Sequence, residues 1–146
     1  MKARDSVATW VLRVLAAACL AISGYIHLHL ASRYNYPGTI TGTQLFDAQG
    51  TVALIAAVLL LVTDNRWVWV VAAIVGLASF AAVMSSRYLS IGAIGPLPDM
   101  RDASWQPSPD KPLSAIVEGL VGVIALVRLG WALTRRAEPA RPPAGS

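Results

Sequence analysis

A chain of 146 residues that is 55% hydrophobic and 14% charged, with a mean hydropathy of +0.56, exceeds the roughly 45–50% apolar share of soluble domains and belongs in a bilayer. Its formal charge of +4 comes from Lys and Arg spread over ends and loops; they do not cluster with aromatics, which excludes a nucleic-acid surface. The single cysteine, Cys19, excludes an internal disulfide and a multi-thiolate metal site.

Residues 1–7 form a short basic leader. Four apolar runs follow, at 8–30, 45–62, 67–85 and 113–133, each near the ~20 residues that cross about 30 Å of hydrocarbon. They occupy most of residues 8–134, one transmembrane domain with no room for a separate soluble catalytic module. Short connections imply an all-α, antiparallel, up-down four-helix bundle. Placing both termini in the cytoplasm puts Lys2, Arg4, Arg13, Arg66, Arg128, Arg135, Arg136 and Arg141 inside. Arg33, Arg87, Arg101 and Lys111 then lie outside, and the positive-inside rule favours this N-in, C-in arrangement in a multi-pass cell-membrane protein.

The first run ends in the only two histidines, His27 and His29. Advancing about 100° per residue places Ala16, Cys19, Leu20, Ser23, Gly24 and His27 on one face, with Val11, Leu15, Ile22, Ile26 and His29 on the other. Small residues mark helix contacts in membranes, so His27 is expected to point into the bundle and His29 away from it. An outer loop, 31–44, carries Tyr34, Tyr36 and a Pro37-Gly38 turn. In the second run, starting near Leu45, Asp47 shares a face with Gly50, Thr51 and Leu54 and is expected to look inward.

A tight inner turn, Thr63-Asp64-Asn65-Arg66, precedes Trp67 and Trp69, both at the level of an aromatic belt. In the third run Ala72, Gly76, Ser79, Val83 and Arg87 line up, placing Arg87 at the outer boundary, within reach of a carboxylate. The longest connection, 89–112, is rich in Gly and Pro yet carries Ile94, Met100 and Trp105; it is expected to form a lid over the outer end or to press on a partner. In the fourth run Ser114, Glu118, Gly122 and Ala125 share a face. Residues 135–146 read as a basic, Pro-rich, disordered cytoplasmic tail.

Each helix thus offers one ionisable residue on its small face: His27, Asp47, Arg87 and Glu118. Three arrangements fit. They form a structural network of paired charges; or a site for a quinone, a lipid headgroup or another amphiphile; or, through His27, Asp47 and Glu118, a metal site. Arg87 opposes the metal, and His27 and His29 lie about 200° apart on a helix and cannot share one ion. No nucleophile triad, phosphate loop or CxxC motif is present.

The path from Leu12-Arg13-Val14-Leu15 through a small-residue helix to Ser23-Gly24-Tyr25-Ile26-His27, followed by three more apolar helices, resembles the DoxX-like small bacterial membrane proteins. The runs His27-Leu28-His29-Leu30 and Thr39-Ile40-Thr41-Gly42-Thr43-Gln44-Leu45-Phe46, with Glu118 in the last helix, are similar to uncharacterised four-helix actinobacterial proteins; the likeness spans about Leu12 to Leu129. The DoxX-like resemblance implies association with quinone-linked redox complexes, although this chain lacks paired redox cysteines. The leading expectation is an accessory or assembly subunit, non-catalytic, engaging the bilayer and a membrane-protein partner or a second copy. The alternative is a redox or ligand-binding protein that uses the pocket for quinone, lipid or a metal ion.

Overall fold

The computed structural model describes residues 2–89 and 91–137. Four helices, α1 (Lys2–Leu30), α2 (Gly42–Val62), α3 (Arg66–Tyr88) and α4 (Asp110–Ala137), pack side by side in chain order and close with α4 against α1. A single 3₁₀ turn, Ala31–Arg33, continues α1. All four are long and apolar enough to cross a membrane. Their outward positions, such as Leu15, Ile55, Ile74 and Val123, are bulky, apolar and exposed. That much apolar surface suits hydrocarbon and would not stay dispersed in water. The chain has the form of a small four-span membrane protein.

The helices run beyond their apolar cores because polar residues cap and extend them. Thr41 and Gln44 form a reciprocal capping box, the Thr41 hydroxyl accepting from the Gln44 N–H at 3.2 Å and the Gln44 side chain accepting from the Thr41 N–H at 2.9 Å. This starts α2 at Gly42, three residues before its apolar run. Asn65 caps α3 by accepting from the Trp67 N–H at 2.9 Å. Pro112 sits in the first turn of α4, where its missing N–H costs nothing. At the other end of α4 the helix includes residues 135–137 of the expected tail; the rest of that tail, 138–146, lies outside the described residues.

Small residues let the backbones approach. A Cβ added to Gly24 would lie 2.9 Å from the Gly50 carbonyl oxygen, and one added to Gly50 equally close to that of Gly24. The α1–α2 crossing is therefore reciprocal and backbone to backbone. Gly76 plays the same part against α4. Alanines 16, 17, 53, 56, 57, 72, 73 and 125 fill the interior between these crossings.

The end of the bundle that carries the α2–α3 turn is tied by side chains. Arg13 donates to the carbonyls of Leu60 at 2.6 Å and Leu61 at 2.8 Å, satisfying acceptors that the end of α2 leaves open. Asp64 accepts from the Trp69 indole at 2.9 Å and from Arg128 at 2.6 Å. Trp69 is therefore not a belt residue as expected; it is 1% exposed and plugs the core beneath the turn, whereas Trp67 is exposed. Ile26 is also buried, against expectation. Because α1 packs on both α2 and α4, its buried arc is wider than one small-residue stripe.

Candidate functional site

Two helical pairs, each four residues apart, meet where α1 and α4 touch. Ser23 and His27 share one face of α1, and Ser114 and Glu118 share one face of α4. Glu118 is 1% exposed. Its Oε1 accepts from the Ser114 hydroxyl at 2.7 Å and the Ser23 hydroxyl at 2.9 Å, while its Oε2 has no hydrogen-bond partner among the described residues. His27 Nδ1 lies 3.0 Å from the Ser23 carbonyl and 3.6 Å from Glu118 Oε1. The first is a hydrogen bond and the second is too long to be one. A carbonyl only accepts, so Nδ1 carries the proton of this bond. In the neutral ring that leaves a lone pair on Nε2, which has no protein partner among the described residues.

The His27 ring forms part of the wall of a cavity of about 80 Å³ at the loop end of the bundle, with Ile26 and Leu30 beside it and Val83, Ser86, Met100 and Ser114 opposite. Phe46 of α2 lies against His27, ring centroids 4.9 Å apart, and Tyr34 stacks on Phe46 at 4.6 Å. Phe46 is thus held between Tyr34, nearly parallel to it, and the His27 ring, tilted 41° to it. A space of this size takes several waters or a small ring.

Both long connections close over it. Ile40 N–H donates to the Pro96 carbonyl at 3.1 Å, and the Tyr34 hydroxyl donates to the Gln106 carbonyl at 3.2 Å. Lys111, 7% exposed, is the anchor. Its ammonium donates to the Asp102 carboxylate at 2.8 Å and to the carbonyls of Ser104 at 2.6 Å and Asp102 at 3.3 Å, using all three of its protons. The Asp102 N–H in turn donates to the Ser86 carbonyl at 3.0 Å, pinning the loop to α3. Burial alone would raise the Asp102 carboxyl, but hydrogen bonds from Lys111 and Ser104 outweigh it and hold its pKa below the ordinary carboxylate value. Burial, with the nearby Asp102 charge, pushes the Tyr34 hydroxyl up to about 12, so it stays a donor.

A lowered carboxyl pKa stabilises the closed loop above the unfolded value and loses that contribution as pH falls through the folded one. The contribution of Asp102 to loop closure is thus expected to be complete at neutral pH and to be lost as pH falls below the ordinary carboxylate value and through the lower folded one. The ¹⁹F resonance of fluorotryptophan-labelled Trp105 reports this, because that ring packs edge-on against Tyr88 at 6.4 Å. Asp102→Asn is expected to show the acid-form spectrum already at neutral pH.

Of the four ionisable residues expected to converge, the structure brings His27 and Glu118 together and leaves the other two apart. Asp47 is exposed. The buried stripe of α2 runs through Gly50, Ala53, Ala57 and Leu60, and Asp47 lies about 120° around the helix from Ala53. Arg87 stays at the end of α3, its guanidinium 5.0 Å from the Tyr88 ring centroid and 6.0 Å from that of Trp105. Because α4 begins at Asp110 rather than Leu113, Glu118 lies about 12 Å into its helix, beyond the reach of Arg87. His29 is exposed and stacks on Tyr25. Among the described residues no three His, Cys, Asp or Glu side chains gather to hold a metal, so His27, Asp47 and Glu118 do not form the conceivable ligand set.

The connection 89–112 contributes Met100 to the cavity wall and Trp105 to the packing on Tyr88, while Ile94 is exposed. Lys111 and Asp102 are site residues that the helical pattern of the sequence does not single out. The available signal was Lys111 itself, a lysine at the mouth of an apolar helix, which needs acceptors to be buried.

No family model matches the chain, and neither a curated protein nor a solved structure is similar enough to count as a match. What stands is therefore a small four-helix protein with four candidate membrane spans and no identified family.

Proposed function

We propose that this integral membrane protein holds a small, neutral, hydroxyl-bearing molecule in the cavity at its loop end, with His27 Nε2 accepting the hydrogen bond from that hydroxyl. The observation that carries this reading is the His27 ring: it is held through Nδ1 by the Ser23 carbonyl and set beside Phe46 in the cavity lining, with its other nitrogen unpartnered among the described residues. Tyr34, Tyr36 and Phe46 line the cavity and supply aromatic surface against which a ring packs. Glu118 acts behind the site, fixing the Ser23 hydroxyl and so the turn of α1 that carries His27. With the termini inside, as the charge distribution favours, the cavity faces the outer leaflet of the cell membrane.

A quinol and a lipid alcohol both carry the required hydroxyl, so the lipid alternative and the reduced form of the quinone alternative fit this reading, whereas an oxidised quinone offers only acceptors to an accepting Nε2. The accessory-subunit reading draws on the small helix faces and the long outer connection, which here serve the bundle itself, Gly24 against Gly50, Gly76 against α4, and the connection bonded to Ile40 and Ser86.

The test is binding of 4-methylphenol to the protein in lipid nanodiscs, read by ligand-observed NMR. Saturable binding that His27→Ala lowers by about tenfold or more, the equivalent of one good hydrogen bond to a buried acceptor, supports the proposal. Binding that is unaffected by His27→Ala, in a bundle that remains folded, contradicts it.

A further inference from the structure

The His27 cavity meets a second space at Ala82, Ser86 and Met100, which line both. This is a groove of about 260 Å³ between the outer flank of α3 and the connection above it. Its floor is Ala78, Ala81, Ala82 and Ser85, and its roof is Ile91, Ile94, Leu97 and Pro98. The exposed positions of α3 nearer its middle, Val71, Ile74 and Leu77, are bulky. Replacing that bulk by alanine methyls under a loop leaves a chain-wide gap on a face turned to lipid, contrary to the usual preference for bulky residues there.

The roof is built to stay in place. Gly95 adopts φ +56°, a conformation that suits glycine, and lets the chain turn so that the Leu97 N–H bonds the Ile94 carbonyl at 3.0 Å. The Pro96 carbonyl within this turn accepts from Ile40 of the first connection. Met100, the one large side chain shared by groove and cavity, is unbranched and changes rotamer readily.

We infer that the groove holds the apolar tail of the molecule whose head sits at His27, and that this ligand, a neutral single-tailed phenol-type amphiphile, enters sideways from the bilayer past Met100. The inference rests on the ligand-binding reading above and extends it to the ligand's class and route. The wall that the two spaces share, Ala82, Ser86 and Met100, supplies the geometry. The lining of the groove carries no charged side chain. Among the described residues the charged side chains lining the cavity, Lys111 and Asp102, are paired with each other at 2.8 Å. Among the described residues neither lining offers a free cation for a phosphate or carboxylate head, which favours a neutral occupant. The aromatic side chains of Tyr34, Tyr36 and Phe46 in the cavity lining favour a ring as the head.

The experiment compares 4-dodecylphenol bearing a diazirine near the end of its tail with 4-methylphenol, on the full chain in phosphatidylcholine nanodiscs, with affinities referred to the membrane concentration of each probe. Wild-type protein is expected to bind the tailed probe about tenfold more tightly and to be photolabelled on α3 between Ala78 and Ser85 or on the roof between Ile91 and Pro98. Ala81→Trp, which fills the groove from an exposed position and leaves the cavity lining intact, is expected to abolish that advantage and the labelling while 4-methylphenol binds as before. Equal affinities for the two probes, with Ala81→Trp changing neither and the label landing elsewhere, would overturn the groove assignment and leave the His27 site standing. Failure of both probes to bind the wild type would overturn the site and the groove together.

Discussion

Glu118→Ala is expected to cost the bundle about 2–4 kcal/mol, whereas Glu118→Gln costs within about 1 kcal/mol. Truncation opens a void at a position that is 1% exposed and takes the acceptor from two hydroxyls, Ser23 at 2.9 Å and Ser114 at 2.7 Å. Those hydroxyls fall back on the carbonyls of their own helices, which recovers part of the hydrogen-bonding loss but none of the cavity. Glutamine keeps the volume and one carbonyl oxygen for the same two donors. Reversible unfolding in mixed micelles measures both variants. Equal losses for Ala and Gln would mean that the negative charge, rather than shape and accepting capacity, is what the site requires.

Gly76→Leu is expected to do more damage, about 3 kcal/mol or greater, and to take probe binding at His27 with it. A Cβ at this position would lie 2.8 Å from the Glu118 carbonyl oxygen and 2.9 Å from the Gly122 nitrogen. Both are backbone atoms of α4, so only a shift of the whole helix relieves the clash. That shift moves Glu118, and through Ser23 it disturbs His27. Gly130, further along α4, has nothing within 4 Å of its added Cβ; Gly130→Ala is expected to be neutral or to gain up to about 1 kcal/mol from helix propensity. The contrast separates the close approach at Gly76 of α3 from a general intolerance of glycine replacement in the apolar helices. Thermal unfolding of the two variants in parallel measures it.

The helices and the His27–Glu118 meeting were legible because both depend on one periodicity. Ser23 with His27, and Ser114 with Glu118, sit four apart among small residues, and helical geometry then forces each pair onto one face. The same arithmetic misplaced Asp47, since its assigned companions Thr51 and Leu54 flank the buried stripe of α2 rather than forming it. Arg87 was lost to helix length: a hydropathy run ends where polar residues begin, and Asp110, Lys111 and Pro112 extend α4 past that limit. Trp69 was hidden by its type, because an indole near a membrane boundary reads as a belt residue until a partner such as Asp64 is seen. The closure through Lys111, Asp102 and Ser86 was not legible at all. It depends on the path of an irregular connection, which no period encodes.

The most direct measurement is the ¹⁵N spectrum of histidine-labelled protein in nanodiscs at neutral pH, which contains only the rings of His27 and His29. The account predicts that the buried ring carries its proton on Nδ1, with an unprotonated Nε2 whose resonance moves on addition of 4-methylphenol, while the exposed His29 ring is unaffected. A His27 ring protonated at Nε2, or one whose nitrogens are indifferent to the phenol at saturating concentration, would contradict the proposed site.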